Sequence, residues 1–338
     1  MRFPEFSGEW KAETIVDACT LYNGRAYKQE ELLPIGKYRV LRVGNFFTND
    51  SWYYSDLELD EQKTIVEGDL LYAWSASFGP RFWTGEKAIY HYHIWKVIPK
   101  EHIDKDYLYH FLYKDSLIIK SRTQGGTMVH VTKGDMEKRP ISFPCLEEQR
   151  KIAKLLSLLD ERIVTQNKII EKLQSLIKGL NDHILKNIEG DQVCFADLGE
   201  AYGGLSGKSG DDFGCGNPFI TYMNVYQNTY ISENDYELVQ IAPDEKQNSV
   251  QYGDALFTLS SETPEEVGMG AVYLGKSQKL YLNSFCFGVH FHGNRVLPQY
   301  IAHFISSTSF RKAIYPLAQG STRFNLQKQD FMRMKFVL

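Results

Sequence analysis

From Glu147 to about Ile188 the sequence contains no proline and a single glycine, Gly179. Ile152, Leu156, Leu159, Ile163, Gln166, Ile170, Leu173, Ile177, Leu180 and Ile184 step alternately by four and three along it. That spacing, held over more than four heptads, is the seam of a coiled coil. Pro144 and the acidic pair Glu147-Glu148 mark a helix start, and Gly190-Asp191 marks its stop. About forty residues at ~1.5 Å each make a rod of roughly 60 Å. Short loops cannot cover such a rod, so the seam from Ile152 to Ile177 is a candidate subunit interface. Gln166 is its one polar position and would help set register.

The segments on either side of the rod resemble one another. Asp17, Tyr22 and Gly24 match Asp197, Tyr202 and Gly204, and Asn45 matches Asn224. Gly68-Asp69-Leu70-Leu71-Tyr72 matches Gly253-Asp254-Ala255-Leu256-Phe257. Tyr107-Leu108-Tyr109-His110-Phe111 matches Tyr300-Ile301-Ala302-His303-Phe304. Gln124-Gly125-Gly126-Thr127 with Asp135 matches Gln319-Gly320-Ser321-Thr322 with Asp330. Order is kept while the offset drifts from 179–180 to 195, as loop insertions produce. Both segments carry short β-rich runs, such as Tyr38–Val43 and Leu280–Phe287, between Gly/Asn/Asp turns. The plan is therefore a domain at 1–144, a helix at 145–190 and a similar domain at 191–338.

Composition excludes several classes. At 338 residues, 43% hydrophobic and 24% charged, the chain is not wholly disordered. The five cysteines are scattered without a C-x-x-C pair, which argues against a disulfide framework or zinc ribbon and for a reduced, cytoplasmic setting. The start, Met1-Arg2-Phe3-Pro4-Glu5-Phe6, lacks a secretory h-region.

Two elements, Gln124-Gly125-Gly126-Thr127 with Asp135 and Ile141-Ser142-Phe143-Pro144-Cys145-Leu146-Glu147-Glu148-Gln149-Arg150-Lys151-Ile152 followed by Leu159-Asp160, carry a resemblance. The chain resembles the specificity subunit of type I restriction–modification systems. That family shows a G-G/S-T element, an I-x-x-P-P-L-x-E-Q-x-x-I start to its conserved helix and then L-D; here Cys145 replaces the second proline. The resemblance implies an α+β fold in which two target recognition domains are joined by a long conserved coiled-coil helix. Each domain would read one half of a split DNA site. Modification (methyltransferase) and restriction subunits would be the partners, and S-adenosylmethionine, Mg²⁺ and ATP would be used in them. The family's second long helix is expected to be absent here, so the seam would pair in trans, self-association included.

The charge distribution agrees with a DNA partner despite a net charge of −4. Lys114, Lys120, Arg122, Lys133, Lys138 and Arg139 cluster around the first Gly-Gly-Thr element. Arg311, Lys312, Arg323, Lys328, Arg333 and Lys335 cluster around the second, Gly-Ser-Thr, against only Asp330. Phosphate contact needs such local positive charge. Candidate DNA-binding residues are Arg81, Lys120, Arg122, Thr127, Lys133, Thr322, Arg323 and Lys328. Arg122, Lys133, Arg323 and Lys328 suit phosphates; Arg81 could donate two hydrogen bonds to guanine. Thr127 and Thr322 sit in glycine turns that would let backbone N–H groups approach a phosphate. The aromatics of the Tyr72–Thr84 element are expected mostly in the core, and Thr258-Leu259-Ser260-Ser261-Glu262 takes the matching place in the second copy.

Other motifs fall short. Gly203–Ser209 lacks the first glycine of a phosphate loop and precedes no helix pattern. Asn217-Pro218-Phe219 lacks a proline of the adenine-methyltransferase element. His91/His93 and His290/His292, expected on strand faces, are ligand pairs without a third member. No catalytic site or metal site is expected in this chain. The alternative is a non-catalytic adaptor that binds protein partners with two similar domains. A recognition module of a single-chain restriction enzyme is opposed by the missing catalytic motifs.

Overall fold

The computed structural model describes residues 2–47, 49–75, 78–122, 130–186, 188–232, 236–293 and 295–337. Two compact units divide the chain, Met1–Asn167 and Lys168–Leu338, with the division falling inside a continuous helix, Leu146–Lys186. Among the described residues no helix is long and apolar enough to cross a membrane.

The first unit is built on an antiparallel sheet in the order Cys19–Asn23, Ile94–Pro99, Leu70–Ala73, Gly79–Phe82. A second sheet runs Tyr53–Ser55, Tyr38–Leu41, Ala88–Tyr90, Thr64–Ile65, with Tyr38–Leu41 and Ala88–Tyr90 parallel. A two-stranded ladder joins the ends of the unit: Lys11–Thr14 pairs with Pro140–Phe143, Lys11 facing Phe143. The helix Lys105–Arg122 brings Tyr107, Leu108 and Leu112 into a core with Leu21, Tyr72, Trp95 and Ile141.

The second unit repeats this plan. Its main sheet runs Gly199–Gly203, Cys286–Phe291, Ala255–Thr258, Gly270–Tyr273, with one further strand, Tyr230–Ile231, parallel at the edge. Gln192–Cys194 pairs with Lys335–Val337 as the closing ladder. Phe195, Phe257, Phe287, Phe310 and Phe331 fill the core.

Several of the matched residues do matched work. Asp17 accepts from the Thr14 backbone and side chain and Asp197 from those of Cys194, each capping a four-residue helix. Those bonds hold both carboxyls below the usual range. Gly68 and Gly253 have φ of +85° and +89°, a conformation that favours glycine. Each following aspartate closes that turn, Asp69 on the Val66 N–H and Asp254 on the Gln251 N–H, both at 2.8 Å. The repeat is thus a set of turn and cap positions.

Three details differ from the sequence reading. Tyr38–Val43 is a strand only to Leu41, because Val43–Phe47 is helical. His91 and His93 occupy the turn between Ala88–Tyr90 and Ile94–Pro99, where no strand alternation applies. The segment Leu280–Phe287 is two strands, Tyr281–Leu282 and the start of Cys286–Phe291.

Candidate nucleic-acid interface

The long helix begins by locking onto the first unit. Glu148 and Gln149 are fully buried. Arg2 donates to Glu148 through Nε (2.8 Å) and Nη2 (2.7 Å), and this bond holds the Glu148 carboxyl below its usual range. Gln149 accepts from the Asp104 N–H at 2.9 Å and donates to the carbonyls of His102 (2.9 Å) and Pro144 (3.0 Å). Asp104 in turn accepts from the N–H groups of Asp106 and Tyr107 at the start of Lys105–Arg122. The Glu-Gln letters therefore position a helix, a role that sequence spacing alone could not reveal.

Beyond Ala153 the seam is open. Ile152 packs against the first core, but from Leu155 to Ile184 every exposed apolar residue on the helix lies between 36% and 60% accessible. These include Leu156, Leu159, Ile163, Ile170, Leu173 and Ile177, and Gln166 is exposed with them. Leu155, Ile169 and Leu176, one position before the heptad residues Leu156, Ile170 and Ile177, widen the stripe. Near the helix end Asp182 accepts from the Thr308 N–H (2.7 Å) and hydroxyl (2.5 Å), and Asn181 donates to the His303 carbonyl (2.8 Å).

The basic clusters divide into structural and exposed members. Arg139 is bound to Asp115 through two hydrogen bonds, one at 2.6 Å, and is half-buried. Arg311 is buried and donates to the carbonyls of Gly268 (2.5 Å), Val267 (2.7 Å) and Glu265 (2.8 Å). Neither is a surface cation, because each satisfies groups inside its own unit. Arg122, Arg323 and Thr322 are exposed. Lys120 is exposed, its Nζ 5.2 Å from the Phe78 ring centroid. Lys133 is half-buried and forms an i,i+4 pair with Glu137 at 3.5 Å; Lys328 is half-buried at the start of Lys328–Arg333. Arg81 is exposed on Gly79–Phe82, its guanidinium 4.8 Å from the Phe47 ring centroid. Gln124–Thr127, and with it Thr127, lies outside the described residues.

The second glycine turn is described. Ala318–Gln319 and Phe324–Leu326 form a hairpin closed by Gly320-Ser321-Thr322-Arg323. Gly320 has φ +138°, and a Cβ there would lie 2.0 Å from the Arg323 carbonyl oxygen. Only glycine fits that corner, which presents Thr322 and Arg323 outward.

One contact recurs in both units. The segment after the glycine-containing sequence element pairs with the residues following the Gly-Asp strand: His130 bridges Ser75, and Asn325 faces Ser260. His130 and Asn325 are 195 residues apart, the same offset as the Gln-Gly-Gly-Thr and Gln-Gly-Ser-Thr sequences. Around the first contact gather Trp74, Tyr92, His91, His93 and His130, with Trp74 4.9 Å from His93 and 6.1 Å from His130 between ring centroids. Burial, then His93 and Arg42, push His91 down to about 4; burial, then His130 and Arg42, lower His93. His130 brings a third imidazole close to His93, yet among the described residues no group of three or more His, Cys, Asp or Glu could hold a metal ion. Around the second contact lies a hollow of about 380 Å³, lined by Tyr222, Tyr226, Ser261, Glu262, Phe285 and Arg323 among others. The sequence reading named the Thr258–Glu262 element but not its partners across the hairpin. The offset of 195 was the available signal.

The rejected phosphate-loop segment is occupied otherwise. Lys208 donates to Glu245 at 2.5 Å, and that bond, with those from Gln247 and the Ala242 N–H, brings Glu245 down to about 2.

Residues 7–189 match the family described as the type I restriction modification DNA specificity domain. The chain is similar to the type I restriction enzyme MjaVIII specificity subunit of Methanocaldococcus jannaschii, 38% identical over 184 residues, which is 53% of this chain and 42% of that one. It is also similar to the EcoKI specificity subunit of Escherichia coli, 24% identical over 350 residues, covering 90% of this chain and 73% of that one. The chain thus spans less than half the length of the archaeal relative in their match. The crystal structure of the type I restriction–modification S subunit from M. genitalium shares the fold, with a TM-score of 0.58 at 14% identity, over all of this chain and 88% of that one. A second structure, described as concerning complex assembly and conformational transition of the type I system, has a TM-score of 0.52 at 15% identity, covering 99% and 87%.

Proposed function

Because the chain belongs to the type I restriction–modification DNA specificity domain family, we propose that it is the DNA-reading, non-catalytic subunit of such a complex. Residues 1–144 and 191–338 act as target recognition domains, and 145–190 is the spacer helix between them. Each recognition domain reads one half of a bipartite target. The observation that carries this reading is the recurring contact at Ser75/His130 and Ser260/Asn325. The same backbone corner is built twice and furnished with different side chains, as two readers of different sequences require.

Lys120, Arg122, Lys133 and Lys328 supply phosphate contacts, which position the chain without specifying sequence. Arg81 supplies a base contact in the first unit, its planar head already stacked on Phe47. The open seam receives modification subunits or a second copy of the helix, since a stripe of that size is an interaction surface. S-adenosylmethionine, Mg²⁺ and ATP act in modification and restriction subunits; the one phosphate-loop-like lysine here, Lys208, is held by Glu245.

Retention of duplex DNA by the purified chain, measured against salt, tests the reading. Each neutralised phosphate contributes about −0.9 to the slope of log K against log salt, so binding should weaken steeply. A protein-binding adaptor would retain no DNA at low salt.

A further inference from the structure

Ser260 faces Asn325 and Ser261 faces Phe324 across an antiparallel ladder. The next residue on each side, Glu262 and Arg323, follows in a bend just past the end of the ladder, and both line the same hollow. Both are exposed, and among the described residues no ion pair joins them. They border the hollow of about 380 Å³ whose walls include Tyr222, Tyr226 and Phe285.

The two tyrosine hydroxyls at the hollow are engaged. The Tyr222 hydroxyl donates to the Ser260 carbonyl at 2.7 Å, and the Tyr226 hydroxyl donates to Glu266 at 2.6 Å. The two tyrosine rings stack, with centroids 6.0 Å apart and planes within 17° of parallel. Facing a ligand, then, are aromatic side chains, the Glu262 carboxylate and the planar Arg323 guanidinium, while the second carboxylate of the lining, Glu266, already accepts from Tyr226.

That pairing discriminates among DNA features. A phosphate would be repelled by Glu262, so Arg323 is poorly placed for a purely backbone contact. In the major groove, guanine offers two acceptors, O6 and N7, and its cytosine partner offers the N4 amino donor. Arg323 matches guanine with two bonds while Glu262 accepts from cytosine. An A·T pair presents its acceptors singly, adenine N7 and thymine O4, with the N6 amino donor between them, so the arginine loses the two-bond match. We propose that Glu262 and Arg323 together read one G·C base pair in the half-site bound by 191–338. This rests on the DNA-reading function proposed above, and moves Arg323 from a phosphate contact to a base contact. By the repeat offsets the corresponding residues of the first unit are Ser77 and Met128, uncharged and outside the described residues, so the second half-site alone carries this pair.

The test uses the full chain assembled with its modification subunits and duplex DNA randomised across both half-sites. Bound sequences are compared for the parent, Arg323→Ala and Glu262→Ala. Both residues are exposed, and matched melting temperatures confirm that the variants fold. In Arg323→Ala, preference for G·C should fall about 5- to 150-fold at one position of the second half-site, with other positions retained. Glu262→Ala should relax the same position. Unchanged preference at every position, or a uniform loss with the salt slope reduced by about one unit, overturns the base-pair assignment while leaving DNA reading intact. Absence of any sequence preference in the parent complex overturns both.

Discussion

Removal of the Gln149 amide is expected to loosen the first unit selectively. Gln149→Ala deletes an acceptor for the Asp104 N–H and a donor to the His102 and Pro144 carbonyls, at a fully buried position. An orphaned buried donor costs about 1–3 kcal/mol, and the two carbonyls add a smaller loss, so the change should cost about 2–4 kcal/mol. In a unit of this size that corresponds to about 5–15 °C in melting temperature. Asp104 also caps Lys105–Arg122, so the loss should spread to that helix. Calorimetry on the full chain should show the transition of the first unit lowered and that of the second within about 1 °C of the parent. Gln149→Glu, which nearly preserves volume but places a carboxylate against two carbonyls, should be at least as damaging. A shift below about 1 °C in both variants would refute the idea that this amide anchors the helix.

Other outcomes follow from the same structure. Alanine at Arg122, Lys120, Lys133 or Lys328 should weaken binding to all duplexes alike. Each such variant should reduce the salt slope by about one unit, as retention against salt will show. His91, held down to about 4, should make the first unit less stable as pH falls from about 6.5 toward 4. In that window the unfolded chain takes up a proton that the folded chain resists, so urea midpoints should drop, and drop less in His91→Gln. Glutamate at Leu159, Ile163 and Ile170 should abolish association through the seam, with modification subunits or a second copy, in sedimentation experiments. These side chains are about half exposed, and each apolar side chain fully buried contributes roughly 1.5–3 kcal/mol. Both units should melt as in the parent.

Much of the architecture was legible because it is written in local signals. The seam repeats every few residues, and the observed helix, Leu146–Lys186, ends close to the glycine stop at Gly190. The internal repeat was visible because Asp17/Asp197 and Gly68-Asp69/Gly253-Asp254 are demanded by caps and turns within three residues. What stayed hidden depends on distant partners. Glu148 looked like a first-turn acid, but its partner Arg2 is 146 residues away. Arg139 and Arg311 looked like surface charge until Asp115 and the 265–268 carbonyls closed on them. Glu262 and Arg323 lie 61 residues apart in sequence and come to one hollow only because the ladder between Ser260–Ser261 and Phe324–Leu326 brings their segments together. Spacing arguments reach a few turns of helix; register across a sheet is set by packing.

The central claim is that two similar units read two different half-sites. Exchange of residues 191–338 for the second recognition domain of another family member, followed by sequencing of methylated bases in cells that carry the modification subunits, tests it most directly. The account predicts that one half of the methylated motif changes and the half read by 1–144 is retained. A motif altered in both halves, or in neither, would contradict it.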